Sequence, residues 1–76
     1  MKAYILIHIQ TGEIGEVLKQ LRRVKGVAQA DMTFGEYDAI AMVEAADLQA
    51  LGHLVAWEIQ AIPGVLDTLT CLAVGV

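Results

Sequence analysis

Residues 3–9, Ala-Tyr-Ile-Leu-Ile-His-Ile, are apolar at both alternating positions until His8 and rich in β-branched and aromatic side chains. That pattern predicts a strand in the middle of a sheet, buried on two sides. The period then changes. Over residues 13–24, Ile14, Val17, Leu18, Leu21 and Val24 follow the i, i+3, i+4, i+7 spacing of one helix face, so a helix is predicted to pack on that sheet. Thr11 or Gly12 is expected to start it, the threonine hydroxyl accepting from an early helix N–H, and Gly26 fits the left-handed position that closes helices.

Residues 27–34 set Ala28, Ala30, Met32 and Phe34 against Gln29, Asp31 and Thr33, as in an edge strand with one wetter face. A corner at Gly35 leads into a second strand over 38–44, and the short connection makes the two an antiparallel hairpin. Behind Asp47, a good N-cap, Leu48, Leu51, Val55, Ile59 and Ile62 form a second helical stripe, which Pro63-Gly64 ends. Residues 65–74, with Val65, Thr68, Thr70 and Val74, give a last strand.

An internal echo orders these elements. Val24-Lys25-Gly26-Val27 ends the first helix and Ile62-Pro63-Gly64-Val65 the second, half the chain apart. The chain reads as two βαβ units joined by the central hairpin, an α+β, ferredoxin-like β-α-β-β-α-β domain over 1–76 with a four-stranded antiparallel sheet and both helices on one face. Whichever of Tyr4, Leu6, His8 or Ile5, Ile7, Ile9 faces the helices, the other set is too apolar to leave in water. A second copy covering it predicts a dimeric α/β sandwich.

Composition points the same way. With 76 residues, 57% hydrophobic and 18% charged, the chain is more apolar than a small monomer needs. The longest charge-free run, 48–57, is far short of the roughly 20 residues that span a bilayer, so no membrane partner is expected. Nine acidic residues against five basic give a net charge of −4, which removes the phosphate attraction that direct nucleic-acid binding requires. The basic cluster Lys19, Arg22, Arg23 and Lys25 reads as a solvated helix face. Single Cys71 forms no internal disulfide and, with no metal-site spacing nearby, fits a reducing cytoplasm. No cofactor is implied.

The candidate chemistry lies in the corner Phe34-Gly35-Glu36-Tyr37-Asp38. Gly35 permits a positive φ and Asp38 can brace the turn through backbone N–H groups. His8 reads as a satisfied interior or dimer-face histidine, His53 and Trp57 as packing neighbours on the second helix, and Met32 and Met42 as core filler.

Taken together, Val24-x-Gly26-Val27, Phe34-Gly35-Glu36-Tyr37-Asp38, Ala45-x-Asp47 and Ile62-Pro63-Gly64-Val65-x-Asp67-Thr68-x-Thr70 resemble the effector-sensing RAM domain of the Lrp/AsnC transcription regulators, over nearly the whole chain. Full-length members place a helix-turn-helix domain before this unit, so the resemblance implies a stand-alone RAM domain that binds an amino-acid effector without gripping DNA. It also implies homodimers assembling into octameric or decameric rings, and co-assembly with full-length Lrp/AsnC-type regulators. The family's Gly-x-x-Asp falls on Gly35 and Asp38. Loop N–H groups at Gly35 would hold a carboxylate and Asp38 an α-ammonium group. Thr68 and Thr70 match the family's Thr-x-Thr and would offer hydroxyls to the same zwitterion; Glu36 and Tyr37 lie in the same loop.

Other readings of this element order stay open. An ACT-type amino-acid sensor would build its site around Gln10-Thr11-Gly12-Glu13. A structural partner subunit would bind no effector. A small ferredoxin-like monooxygenase would draw on His8, His53, Trp57 and Tyr4, which form no cluster of acids or nucleophiles, so the expectation is a regulatory domain and not an enzyme.

Overall fold

The two apolar faces of residues 3–9 part company in the fold. Strand β1 (Lys2–Ile9) sends Ala3, Ile5, Ile7 and Ile9 into the core, while Tyr4 is exposed and Leu6 and His8 are half-buried on the other side. The strand expected to be buried on two sides is buried on one within a single chain. The computed structural model describes residues 1–75; Val76, the last residue of the domain expected over 1–76, lies outside them.

The remaining elements are α1 (Ile14–Leu21), β2 (Val27–Met32), β3 (Ala39–Glu44), α2 (Leu48–His53), which continues as a π-helical stretch over Leu54–Ile59, and β4 (Val65–Leu72). The four strands form one antiparallel sheet in the order β2-β3-β1-β4. The β-α-β-β-α-β arrangement is therefore the ferredoxin-like one. β1 is central and β2 is an edge, as its wetter pattern required. The core joins Ile5, Ile7, Ala39, Ala41 and Val43 of the sheet to Val17, Leu18 and Leu21 of α1 and to Leu51, Leu54, Val55, Ile59 and Ile62 of the second helical segment.

The half-chain echo has a structural counterpart. Gly26 and Gly64 take φ of +103° and +101°. Around them the same turn recurs: Val27 N–H donates to the Val24 carbonyl and Val65 N–H to the Ile62 carbonyl, both at 3.1 Å. The Gly26 carbonyl accepts from Glu44 N–H and the Gly64 carbonyl from Gln10 N–H. Each glycine thus ties a helix exit to the end of a strand.

Several local expectations are corrected. Thr11 does not cap α1: Glu13 occupies the N-cap without a side-chain bond, and a turn through Gly12 (φ +89°), closed by Glu13 N–H on the Gln10 carbonyl, delivers the chain instead. Asp47 does cap α2, accepting from Ala50 N–H at 2.8 Å. In the stripe that follows, Leu48 is 60% exposed and Leu54 is buried in its place. The π-helical stretch explains why Leu51, Val55 and Ile59 all reach the core. Residues four apart drift around a 3.6-residue turn, and the wider turn after His53 offsets that drift. Met32 is 64% exposed at the edge of the helix-facing side, and Met42 is half-buried on the sheet's open face, so neither fills the core. β2 ends at Met32, not at residue 34, because Thr33 turns its hydroxyl onto the Tyr37 carbonyl and its N–H onto the Asp38 carbonyl.

Candidate functional site

The chain from Thr33 to Asp38 folds as a loop cross-braced at its base, and its far end stands free. Phe34 projects fully into solvent, and Gly35 takes φ +147° with nothing within 4 Å of where a side chain would begin. At the base, Asp38 N–H donates to the Ile7 carbonyl, and the Asp38 Oδ2 accepts from Ile9 N–H at 2.7 Å. Asp38 therefore braces the corner against the central strand. Its Oδ1 has no protein partner among the described residues.

Between this loop and the start of α1 lies an open cleft of about 550 Å³ lined by Ile14, Met32, Thr33, Phe34, Gly35 and Asp38. Of the residues singled out in the sequence, Gly35 and Asp38 meet in it. Its apolar walls, Ile14, Met32 and Phe34, were not singled out as site residues. Ile14 was legible only as a core position of the first helix, and it is half-buried there because it faces the cleft.

The other expected site residues lie elsewhere. Glu36 and Tyr37 turn toward the open face of the sheet, where the Glu36 carbonyl lies 2.9 Å from His8 Nε2 and the Tyr37 ring stacks on the His8 ring at 4.3 Å between centroids. Thr68 and Thr70 pair with Ile7 and Ile5 and share their helix-facing side of the sheet. Thr68 accepts from Gln60 Nε2 at 2.8 Å, and Thr70 lines a separate apolar cleft of about 390 Å³ with Leu48, Leu51, Gly52, Val55, Ala56 and Leu72. In the sheet row Ala39–Ile7–Thr68, two strand spacings put Thr68 about 10 Å from the Asp38 end of β3. Within one chain the fold does not gather the threonines and the Gly35–Asp38 corner around one volume.

A contact with no local signal in the sequence joins His8 to Asp67, directly opposite it on β4, with Nδ1 2.7 Å from Oδ1. This bond with Asp67 raises the His8 pKa above its ordinary 6.5; burial opposes the rise, and the Glu36 carbonyl and the charges of Asp67 and Asp38 add to it. His53 and Trp57 stack loosely at 6.0 Å, with Trp57 71% exposed. Arg22 grips the Ala30 carbonyl with Nε and Nη2, a structural tie from helix to edge strand. No helix among the described residues is long and apolar enough to cross a membrane.

The family model described as the Lrp/AsnC ligand binding domain matches residues 2–75. Among solved structures, a protein designated FFRP-DM1 is 32% identical, with 96% of this chain and 97% of that chain covered and a TM-score of 0.91. AsnC of E. coli is 24% identical with a TM-score of 0.92, over 97% of this chain and 50% of its own. The regulator NMB0573 of Neisseria meningitidis, solved as a complex with L-Met, is 21% identical with a TM-score of 0.88, over 97% of this chain and 49% of its own. This chain thus spans about half the length of those two regulators. No curated protein is similar enough in sequence to be matched.

Proposed function

The chain belongs to the Lrp/AsnC ligand binding domain family, and from that membership we propose that it is a regulatory domain whose cleft at Gly35 and Asp38 receives an amino acid. The observation that carries this reading is the pairing of one unpartnered carboxylate oxygen with apolar walls. Asp38 Oδ1 is available to an α-ammonium group, the backbone at Gly35 is open to a carboxylate, and Ile14, Met32 and Phe34 offer an apolar seat for the side chain. The volume falls within the roughly 300–1,000 Å³ usual for small-molecule sites. An aliphatic or thioether side chain suits those walls best, and the L-Met complex of a structural relative supports that choice. The family assignment also favours this corner over an ACT-type site in the first loop.

The reading extends to assembly. A second copy is proposed to cover the open sheet face, where Tyr4 and Leu69 are 40% and 49% exposed and Leu6, Ile40 and Met42 lie beside them. Dimers would join into rings, closing the cleft from outside. Thr68 and Thr70 would take part in the same ligand's shell only from an adjoining copy. Co-assembly with a longer regulator that carries its own DNA-binding half would convert the bound amino acid into a transcriptional effect, in the reducing cytoplasm that a free, exposed Cys71 suits.

Calorimetric titration of the twenty amino acids, with assembly size recorded before and after, tests the reading. Saturable binding that Asp38→Asn abolishes is expected. If none binds to the assembled protein, the sensor reading fails, and a partner subunit without a ligand takes its place.

A further inference from the structure

His8 leaves β1 on the side away from both helices, and each nitrogen of its ring ends on an acceptor. Nδ1 lies 2.7 Å from a carboxylate oxygen of Asp67, and Nε2 lies 2.9 Å from the Glu36 carbonyl. A neutral imidazole has one N–H and one lone pair, and only the imidazolium donates from both nitrogens. A neutral ring in this place would set its lone pair against either a carboxylate or a carbonyl oxygen.

The two acceptors belong to different parts of the molecule. Asp67 is on β4, the strand beside β1, and Glu36 belongs to the loop whose neighbours Gly35 and Asp38 line the cleft. Tyr37, from the same loop, lies flat on the imidazole with 12° between the planes, a geometry that favours the cationic ring. Few other contacts hold this loop: beyond the Thr33 and Asp38 bonds at its base, the His8 ring is what ties its middle to the sheet.

We propose that His8 is a positioning residue for the 35–38 loop, clasping it to β4 as the imidazolium and releasing it on deprotonation, so that a proton gates amino-acid binding in the adjoining cleft. The gating half of this inference rests on the cleft being an amino-acid site; the clasp does not. The charged and titratable groups facing His8 are Asp67 from β4, Asp38 from the start of β3 and Tyr37 from the loop, and both helices lie beyond the sheet. Both carboxylates favour the cation. The raised His8 pKa follows from the same contacts.

Nuclear magnetic resonance of the assembled protein, titrated from roughly pH 6 to pH 9 across the histidine range, reads the clasp directly. The His8 ring and the Gly35, Glu36 and Tyr37 amides are expected to share one midpoint above 6.5, and that loop transition is expected to vanish in His8→Gln. Asp67→Asn supplies an amide that can donate to a neutral ring, so the loop contact should persist without a proton: the His8 midpoint should fall and the loop amides of this variant should no longer follow it. Affinity for L-methionine, or for whichever of the twenty amino acids binds tightest, should drop with the same midpoint by up to about tenfold per pH unit. Loop amides that stay flat while His8 titrates, or that still titrate in His8→Gln, overturn the clasp. A titrating loop with pH-independent affinity overturns the gating. A titrating loop with no amino acid bound at any pH supports the clasp and removes the ligand assignment, so the two failures are told apart.

Discussion

One oxygen of the Asp38 carboxylate accepts the backbone N–H of Ile9 at 2.7 Å, so the residue at the cleft is also a rung of the sheet. The binding role proposed for Asp38 would use the other oxygen. A substitution at Asp38 is therefore expected to have two separable consequences, one for folding and one for the proposed binding.

Asp38→Ala leaves the Ile9 N–H without its acceptor in a part-buried position, and is expected to cost about 1–3 kcal/mol. Asp38→Asn keeps an oxygen for that N–H and should cost less than about 1 kcal/mol, yet it removes the charge that an ammonium group would meet. Urea denaturation read beside calorimetry checks both. Amino-acid affinity unchanged in Asp38→Asn would show that the carboxylate's charge has no part in binding.

Gly64 and Gly35 both have positive φ but differ in surroundings. A Cβ on Gly64 would stand 2.9 Å from Val17 Cγ2 and 3.0 Å from Glu13 Cβ, whereas one on Gly35 meets nothing within 4 Å. Gly64→Ala combines backbone strain with overpacking, each about 1–3 kcal/mol; Gly35→Ala carries the strain alone. The Gly64 variant should have the lower urea midpoint, and equal midpoints would show that α1 gives way without cost.

The fold was legible because its signals are local. Periods of two and of 3.6 separated strands from helices, and the repeated Gly-Val after each helix gave the half-chain symmetry. Residues whose surroundings are set by distant pairing were not legible. Nothing near His8 announces Asp67, 59 positions away; their contact exists only because β4 lies antiparallel beside β1. Thr68 and Thr70 show the converse: a two-apart spacing placed them correctly on one face, but which face, and against which helix, was decided by Ile7 and Ile5 across the ladder. Leu48 and Leu54 exchanged places because a π-helical turn has no clear mark in residue type.

The open sheet face separates folding from assembly. Leu69 pairs with Leu6 across that face and is 49% exposed, whereas Ile5, on the opposite side of β1, is fully buried. Ile5→Ala should cost about 2–5 kcal/mol of stability. Leu69→Lys places a charge where the second copy is proposed to sit, and should halve the smallest unit seen in sedimentation while β-sheet circular dichroism persists. A Leu69→Lys protein that sediments like the parent would move the interface elsewhere.

The raised His8 pKa also fixes the sign of a pH effect on stability. Because the folded protein holds this proton more tightly than the unfolded chain does, the stabilisation is fully present below 6.5, the ordinary value, and is lost as pH rises through the higher folded value. Other groups titrate in the same range, so the informative quantity is the difference in thermal midpoint between the parent and His8→Gln. That difference should be constant below pH 6.5 and shrink as pH rises through the folded pKa, whereas Asp67→Asn, which removes the largest cause of the shift, should move the shrinking to lower pH. A difference that instead grows with pH would mean that His8 is held neutral, and that Asp67 turns away from it in solution.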